Sequence, residues 1–244
     1  QAPAEEIAKF NTGDPDRDAR LAMGKRMDDA IGQVVATLKA TGRWDNTLLF
    51  FISDNGGPLA QSADNTPLRG GKHTDYEGGV RVPFLICWPA QVKPGELQSP
   101  VSALDILPTV LAAAGLEAPA DKPFDGRNLL PLLRGQAAPE SRDFFWCSGS
   151  EAGWWAVRSG DFKLVGEKGR LSLFDLSQDV SESDDLAARL PEKVAELTRL
   201  HDAWLAEMAE PVKAGAKRYD LSPAKADGSE PAKKKRKREE KQEA

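Results

Sequence analysis

Between residues 17 and 41, the apolar positions Met27, Ile31, Val34, Val35 and Leu38 recur at offsets of 4, 7, 8 and 11. That spacing lines one face of an α-helix, and Gly42 supplies its stop. Asp45 and Asn46 then mark a turn. Residues 47–53, Thr-Leu-Leu-Phe-Phe-Ile-Ser, run on without polar alternation. A continuous apolar run of this length predicts a parallel strand buried on both faces. After it the pattern breaks: residues 54–81 are polar, and their six glycines fall in adjacent pairs at 56–57, 70–71 and 78–79. This segment is expected to be a loop at the C-terminal end of a buried strand, where open α/β sheets place their ligands.

The run Phe84-Leu85-Ile86-Cys87-Trp88 predicts a second core strand ended by Pro89, and residues 105–114 predict a helix with Pro108 in its first turn and Gly115 just beyond. Residues 116–141, rich in Pro and Gly, are expected to cross the surface. Beyond them the texture changes. Short strand-like runs at 144–146, 155–158, 162–165 and 171–176 are separated by Gly or polar turns, which predicts a small antiparallel sheet. Residues 191–210 then carry Val194, Leu197, His201, Trp204, Leu205 and Met208 on one helical face. The pattern predicts an α/β class: a mostly parallel sheet flanked by helices over 1–140, and a small sheet-and-helix subdomain over 141–211.

Composition adds boundaries. With 244 residues and 40% apolar content, the chain can bury a substantial core, while no apolar run approaches the ~20 residues that span a bilayer. The opening QAPAEEIAKF has neither the basic start nor the apolar stretch of a signal peptide. Net charge is −5, unevenly spread: residues 211–244 hold 11 Lys/Arg against 6 Asp/Glu. The body is therefore acidic, and residues 212–244, with the run 233–238, are expected to form a disordered basic tail. That tail is read as solvated, with no nucleic acid expected as a partner. Cys87 and Cys147 have no zinc-site spacing and are expected to be buried thiols.

Two places carry candidate chemistry. Ser53-Asp54-Asn55-Gly56 offers a carboxylate and an amide oxygen side by side, hard donors suited to Ca²⁺ or Mg²⁺, although Asp-Asn-Gly is also a common turn. Gly70-Gly71-Lys72 sets a lysine beside glycines that allow close backbone approach to a ligand. The order strand, SDNG, GGK, YEGG, VRVP, strand resembles the sulfatase family of the alkaline-phosphatase-like superfamily. The resemblance extends to RMDDAIGQV at 26–34, LDILPTVL at 104–111, DGRNL at 125–129, VRSGDFKLV at 157–165 and LFDLSQD at 173–179.

This resemblance implies hydrolysis of a sulfated small molecule or glycan, with 1–140 as the C-terminal part of a catalytic domain. It makes Asp54 and Asn55 ligands of a metal, calcium rather than magnesium, and Lys72 the residue holding a sulfate oxygen and the ester oxygen. It also implies a formylglycine nucleophile made from Cys or Ser in C/S-x-P-x-R, expected in an absent N-terminal half, and a periplasmic or secreted location. Cys87-Trp-Pro-Ala-Gln91 imitates that motif but has Gln91 where Arg is needed, so Cys87 is set aside. Asp28 and Asp29 match no metal position. His73, next to the lysine, is a candidate for touching substrate or a plain exposed histidine. His201 reads as a packed core residue, and Trp154 and Trp155 as core aromatics with a capacity to stack on sugar. Two alternatives remain open: a phosphate or phosphonate ester hydrolase, and a non-catalytic binding protein on the same scaffold.

Overall fold

The computed structural model describes residues 2–117, 119–147 and 153–208. After the short helix α1 (Ala4–Ile7), helix α2 spans Pro15–Ala40. It starts two residues earlier than the apolar spacing predicts. Asp14 accepts hydrogen bonds from the Asp16 and Arg17 amides, and Pro15 fills the first helical position, where a missing N–H costs nothing. Its expected apolar face is only partly covered by the described residues: Met27 and Val34 are 53% and 54% exposed, Ile31, Val35 and Leu38 are half-buried, and the fully buried residue is Ala22.

Strand β1 (Leu49–Ile52) pairs with β2 (Phe84–Cys87) from Leu49 opposite Cys87 to Ile52 opposite Phe84. The pairing is antiparallel, which corrects the parallel strand expected from the apolar run. A parallel partner needs a crossover that carries the chain back to the starting edge, usually on a helix. Here the connection contains only a 3₁₀ turn (Leu59–Gln61) and the four-residue α3 (Glu77–Val80), and it folds straight back on itself. Leu85 is 56% exposed, so β2 is not buried on both faces. Among the described residues this layer is one antiparallel pair rather than a mostly parallel sheet.

Helix α4 (Ile106–Ala113) follows a single 3₁₀ turn closed by a Ser102–Asp105 capping box. Fully buried Asp105 ties down the connection that follows. Its carboxylate accepts from the Ser102 amide (2.8 Å), the Arg127 amide (2.8 Å) and both terminal nitrogens of Arg142, one at 2.6 Å. Burial alone would raise its pKa, but Arg142 and the two amides outweigh that and hold it below the usual carboxylate value. Thr109 accepts from the Leu129 amide (2.9 Å) just before the short helix α5 (Leu130–Leu133).

Strands β3 (Asp143–Cys147), β4 (Trp155–Ser159), β5 (Phe162–Glu167) and β6 (Arg170–Asp175) form the expected antiparallel sheet in sequence order. Alternation sends successive side chains to opposite faces, and both faces are buried. Val157, Leu164 and Leu173 pack with Leu197 of helix α6 (Pro191–Glu207). On the other face, Ala156, Val165 and Phe174 pack with Tyr76, which comes from the glycine-rich loop. His201 is buried and stacks on Trp155 with ring centres 3.9 Å apart, as a core histidine should. Trp155 in turn lies over Gly166, where a Cβ would come within 2.3 Å of the indole. Cys147 is exposed rather than buried, because it ends the edge strand β3. The basic tail, 212–244, lies outside the described residues.

Candidate active site

The loop between β1 and β2 continues their antiparallel approach past the ends of the strands. The Ser53 amide donates to the Pro83 carbonyl (3.2 Å) and the Gly56 amide to the Gly79 carbonyl (2.9 Å). The Lys72 amide donates to the Gly57 carbonyl (3.2 Å), so the Lys72 turn is seated directly on the segment that follows Asp54 and Asn55. Asn65 ties the Gly57 stretch to the one that leads into Lys72: it accepts from the Gly57 amide (3.0 Å) and donates to the carbonyls of Gly57 (2.8 Å) and Gly70 (3.0 Å).

This knot gives the three glycine pairs a reason different from ligand approach. A Cβ on Gly56 would sit 1.7 Å from the Gly78 carbonyl oxygen, on Gly71 2.3 Å from the Gly57 carbonyl oxygen, and on Gly79 2.0 Å from the Thr74 carbonyl oxygen. The glycines let backbone pack on backbone.

Lys72 and His73 are the two central residues of a turn closed by the Thr74 amide on the Gly71 carbonyl (3.0 Å). His73 has φ +75°, the left-handed conformation that a type II turn requires at its second central position. The Thr74 hydroxyl reinforces the turn from the Gly71 carbonyl (2.8 Å). Both Lys72 and His73 are exposed at its tip. Among the described residues, the Lys72 ammonium and the Asp54 carboxylate have no hydrogen-bond or ion-pair partner. A free cation and a free carboxylate are thus held on adjacent, rigidly linked backbone.

Asn55 lies beside Asp54 with its amide nitrogen committed to the Gly56 carbonyl (2.9 Å), which leaves Oδ1 as the available donor atom. An amide oxygen and an unpaired carboxylate are hard donors of the kind calcium takes. They fit the ion chemically but supply two donors where it takes about six to eight. Among the described residues, no cluster of three or more His, Cys, Asp or Glu could hold a metal.

Behind the turn lies a buried charge cluster that the sequence reading did not single out. Lys163 on β5 is fully buried, with its ammonium 2.8 Å from Glu77 and 3.0 Å from Glu182. Glu182 also accepts from the Glu77 amide (2.6 Å), and burial raises its pKa against the opposing pull of Lys163. Asp75 has one oxygen buried without a hydrogen bond among the described residues, and burial pushes its pKa up as well. The available signal was the unbroken strand FKLV, in which a lysine at an inward position demands a buried partner.

A two-stranded layer running into a glycine-locked loop, followed by an antiparallel sheet under one helix, places the chain in the alkaline-phosphatase-like α/β class. The pattern described as Sulfatase matches residues 1–116, and that described as N-sulphoglucosamine sulphohydrolase, C-terminal, matches residues 71–208. The chain belongs to the sulfatase family. It is 42% identical to rat (Rattus norvegicus) steryl-sulfatase over 131 residues, covering 50% of this chain and 23% of that protein. It is 29% identical to the uncharacterised sulfatase YdeN of Escherichia coli K12, covering 80% of this chain and 42% of that one. The crystal structure of Ps i-CgsB in complex with k-i-k-neocarrahexaose superposes with a TM-score of 0.76 at 33% identity, over 84% of this chain and 46% of that one. The chain therefore spans less than half the length of these relatives.

Proposed function

We propose that this chain forms part of a sulfuric ester hydrolase in which Lys72 holds the sulfate group and Asp54 and Asn55 contribute ligands to a calcium ion. The observation that carries the reading is the pairing of an unpartnered ammonium with an unpartnered carboxylate on backbone segments joined by the Lys72–Gly57 and Gly56–Gly79 hydrogen bonds. Exposed charges that only solubilise a loop have no need of so rigid a seat.

A bound divalent cation would supply stabilisation of negative charge on the sulfuryl oxygens. Lys72 binds the anion through its three donors and strengthens its contact as charge builds on the departing ester oxygen. Asn65 and the glycine pairs keep that amine in register with Asp54 and Asn55. The nucleophile is assigned to sequence outside these 244 residues, since the chain contains no Cys or Ser followed by x-Pro-x-Arg. A formylglycine there, and a secreted or periplasmic location, belong to the same proposal through family resemblance. A sulfated carbohydrate is the favoured substrate class, supported by similarity to a protein solved with an oligosaccharide. His73, exposed at the same turn tip, is proposed to touch that substrate.

The test is steady-state kinetics of the complete protein with a chromogenic aryl sulfate. Lys72→Ala is expected to lower kcat by about a hundredfold with the melting temperature unchanged. A wild-type kcat in this variant would refute the assignment, and faster turnover of an aryl phosphonate than of the sulfate would move the substrate class.

A further inference from the structure

The turn that presents Lys72 is the tip of a closed loop, and both feet of that loop rest on one residue far away in sequence. The feet are tied to each other by the Gly78 amide on the Arg69 carbonyl (2.7 Å). Arg69, three residues before Lys72, donates from its guanidinium to the backbone carbonyl of Glu182 (2.8 Å). Glu77, five residues after Lys72, donates its amide to the carboxylate of the same Glu182 (2.6 Å). The Glu77 carboxylate is then held by the Lys163 ammonium (2.8 Å), which also lies 3.0 Å from Glu182. Arg158 and Arg81 stand 3.9 Å from the second Glu77 oxygen. Between the feet, Tyr76 packs on Phe174 while the Arg69 guanidinium covers the tyrosine ring at 4.1 Å.

Glu182 is fully buried and has φ +53°, a conformation that a side chain other than glycine, asparagine or aspartate rarely adopts. A left-handed, buried glutamate in a Ser-Glu-Ser-Asp run is a costly residue to keep for solubility or for the turn alone, since glycine would serve the turn better. Its carbonyl and carboxylate point to opposite feet of one loop. That division of labour is what glycine could not provide.

We infer that Glu182, braced by Lys163, is a positioning residue for the sulfate-binding lysine: it fixes both feet of the 69–78 loop and so sets where the Lys72 amine stands relative to Asp54 and Asn55. This rests on the reading of Lys72 given above. Through Glu182 and Lys163 the C-terminal sheet thereby acts on the active site by way of the loop feet. Displacement of a catalytic group by about 1 Å can cost about a hundredfold in rate, so loosening the feet acts on turnover even though Glu182 lies behind the loop.

The experiment is a double-mutant cycle in the complete protein with Glu182→Gln, Lys72→Ala and the pair, read by kcat and KM for an aryl sulfate well below the melting temperature. Amide hydrogen exchange is followed in parallel over 69–78. Glu182→Gln keeps the side-chain shape and the carbonyl for Arg69 but weakens the grip on Glu77 and Lys163. It is expected to lower kcat about tenfold or more with a smaller change in KM, and to have little further effect once Lys72 is alanine. Exchange should quicken at the Lys72 and Gly78 amides and not in α6. A purely structural role predicts equal losses in both Lys72 backgrounds and faster exchange throughout the C-terminal sheet; that result overturns the inference. A wild-type kcat in Lys72→Ala refutes the assignment of Lys72 instead, and the clamp then stands or falls on exchange alone. If Glu182→Gln folds poorly, Arg69→Lys, which takes the guanidinium from the Glu182 carbonyl while keeping a cation beside Tyr76, is read by the same cycle with the same deciding outcomes.

Discussion

Gly56→Ala tests the knot where its backbone strands come closest. The added Cβ would lie 1.7 Å from the Gly78 carbonyl oxygen and 3.0 Å from the Gly79 Cα, with backbone rather than a movable side chain in its way. One strand must retreat, and the Gly56–Gly79 hydrogen bond at 2.9 Å is the first casualty. Losing that bond costs about 1 kcal/mol and the forced backbone shift about 1–3 kcal/mol, so a destabilisation of about 2–4 kcal/mol is expected. The assay is urea unfolding of the complete protein, comparing midpoints at unchanged slope. Gly32→Ala is the control: it sits inside α2 with nothing within 4 Å of the added Cβ, and is expected to stabilise by about 0.5–1 kcal/mol. Should Gly56→Ala unfold within about 0.5 kcal/mol of wild type, the knot is not rigid and the seating of Lys72 on Gly57 loses its physical basis.

Arg142→Met strands the buried Asp105 carboxylate with only its two amide donors, and a loss of about 3–5 kcal/mol is expected in the same unfolding assay. Asp75 has its pKa raised by burial, so in the wild type its contribution to stability is present below the unfolded carboxylate value and is lost as pH rises through the folded one. Asp75→Asn, which cannot ionise, is expected to gain on wild type as pH rises from below 3.8 to neutrality; a stability difference that stays flat with pH would contradict the burial argument. Asp179 behaves oppositely. The Asp184 amide, against the opposing effect of burial and with help from Ser181 and Ser183, lowers its pKa from 3.8 to about 2. Its stabilisation is therefore present above 3.8 and fades as pH falls toward 2, and Asp179→Asn should flatten that part of the stability curve.

Helix α2, the apolar runs of β1 and β2, the four-stranded sheet and α6 were all legible in the sequence, because period and turn residues report which elements form. Direction was not. A run such as Leu49–Ile52 records local burial, whereas parallel or antiparallel pairing depends on how the following thirty-odd residues fold, here through backbone contacts that leave no side-chain pattern. Asp54, Asn55, Lys72 and His73 were found as motif residues, and the structure bonds the Lys72 amide to Gly57, two residues past Asn55. The glycine pairs were visible as places of close approach, but what approaches them is the chain itself. Glu182 escaped notice because Ser-Glu-Ser-Asp-Asp looks like a solvated acidic turn, and only its 105-residue separation from Glu77 and 113-residue separation from Arg69 reveals otherwise.

Those separations have a bearing on time as well as on geometry. A contact spanning more than a hundred residues closes late, because the entropy of so large a loop must be overcome before the contact rewards it. As the polypeptide leaves the ribosome, the Lys72 loop emerges long before Glu182, which contacts both of its feet. Until the strands β5 and β6 have formed and the turn after them has docked, the lysine is held only by the bonds within its own loop, without the Glu182 contacts at the feet. A translation product that stops short of residue 182 thus retains every residue read as binding sulfate and metal but lacks the brace that aligns them. The order of synthesis itself delays assembly of the site until the C-terminal sheet is in place.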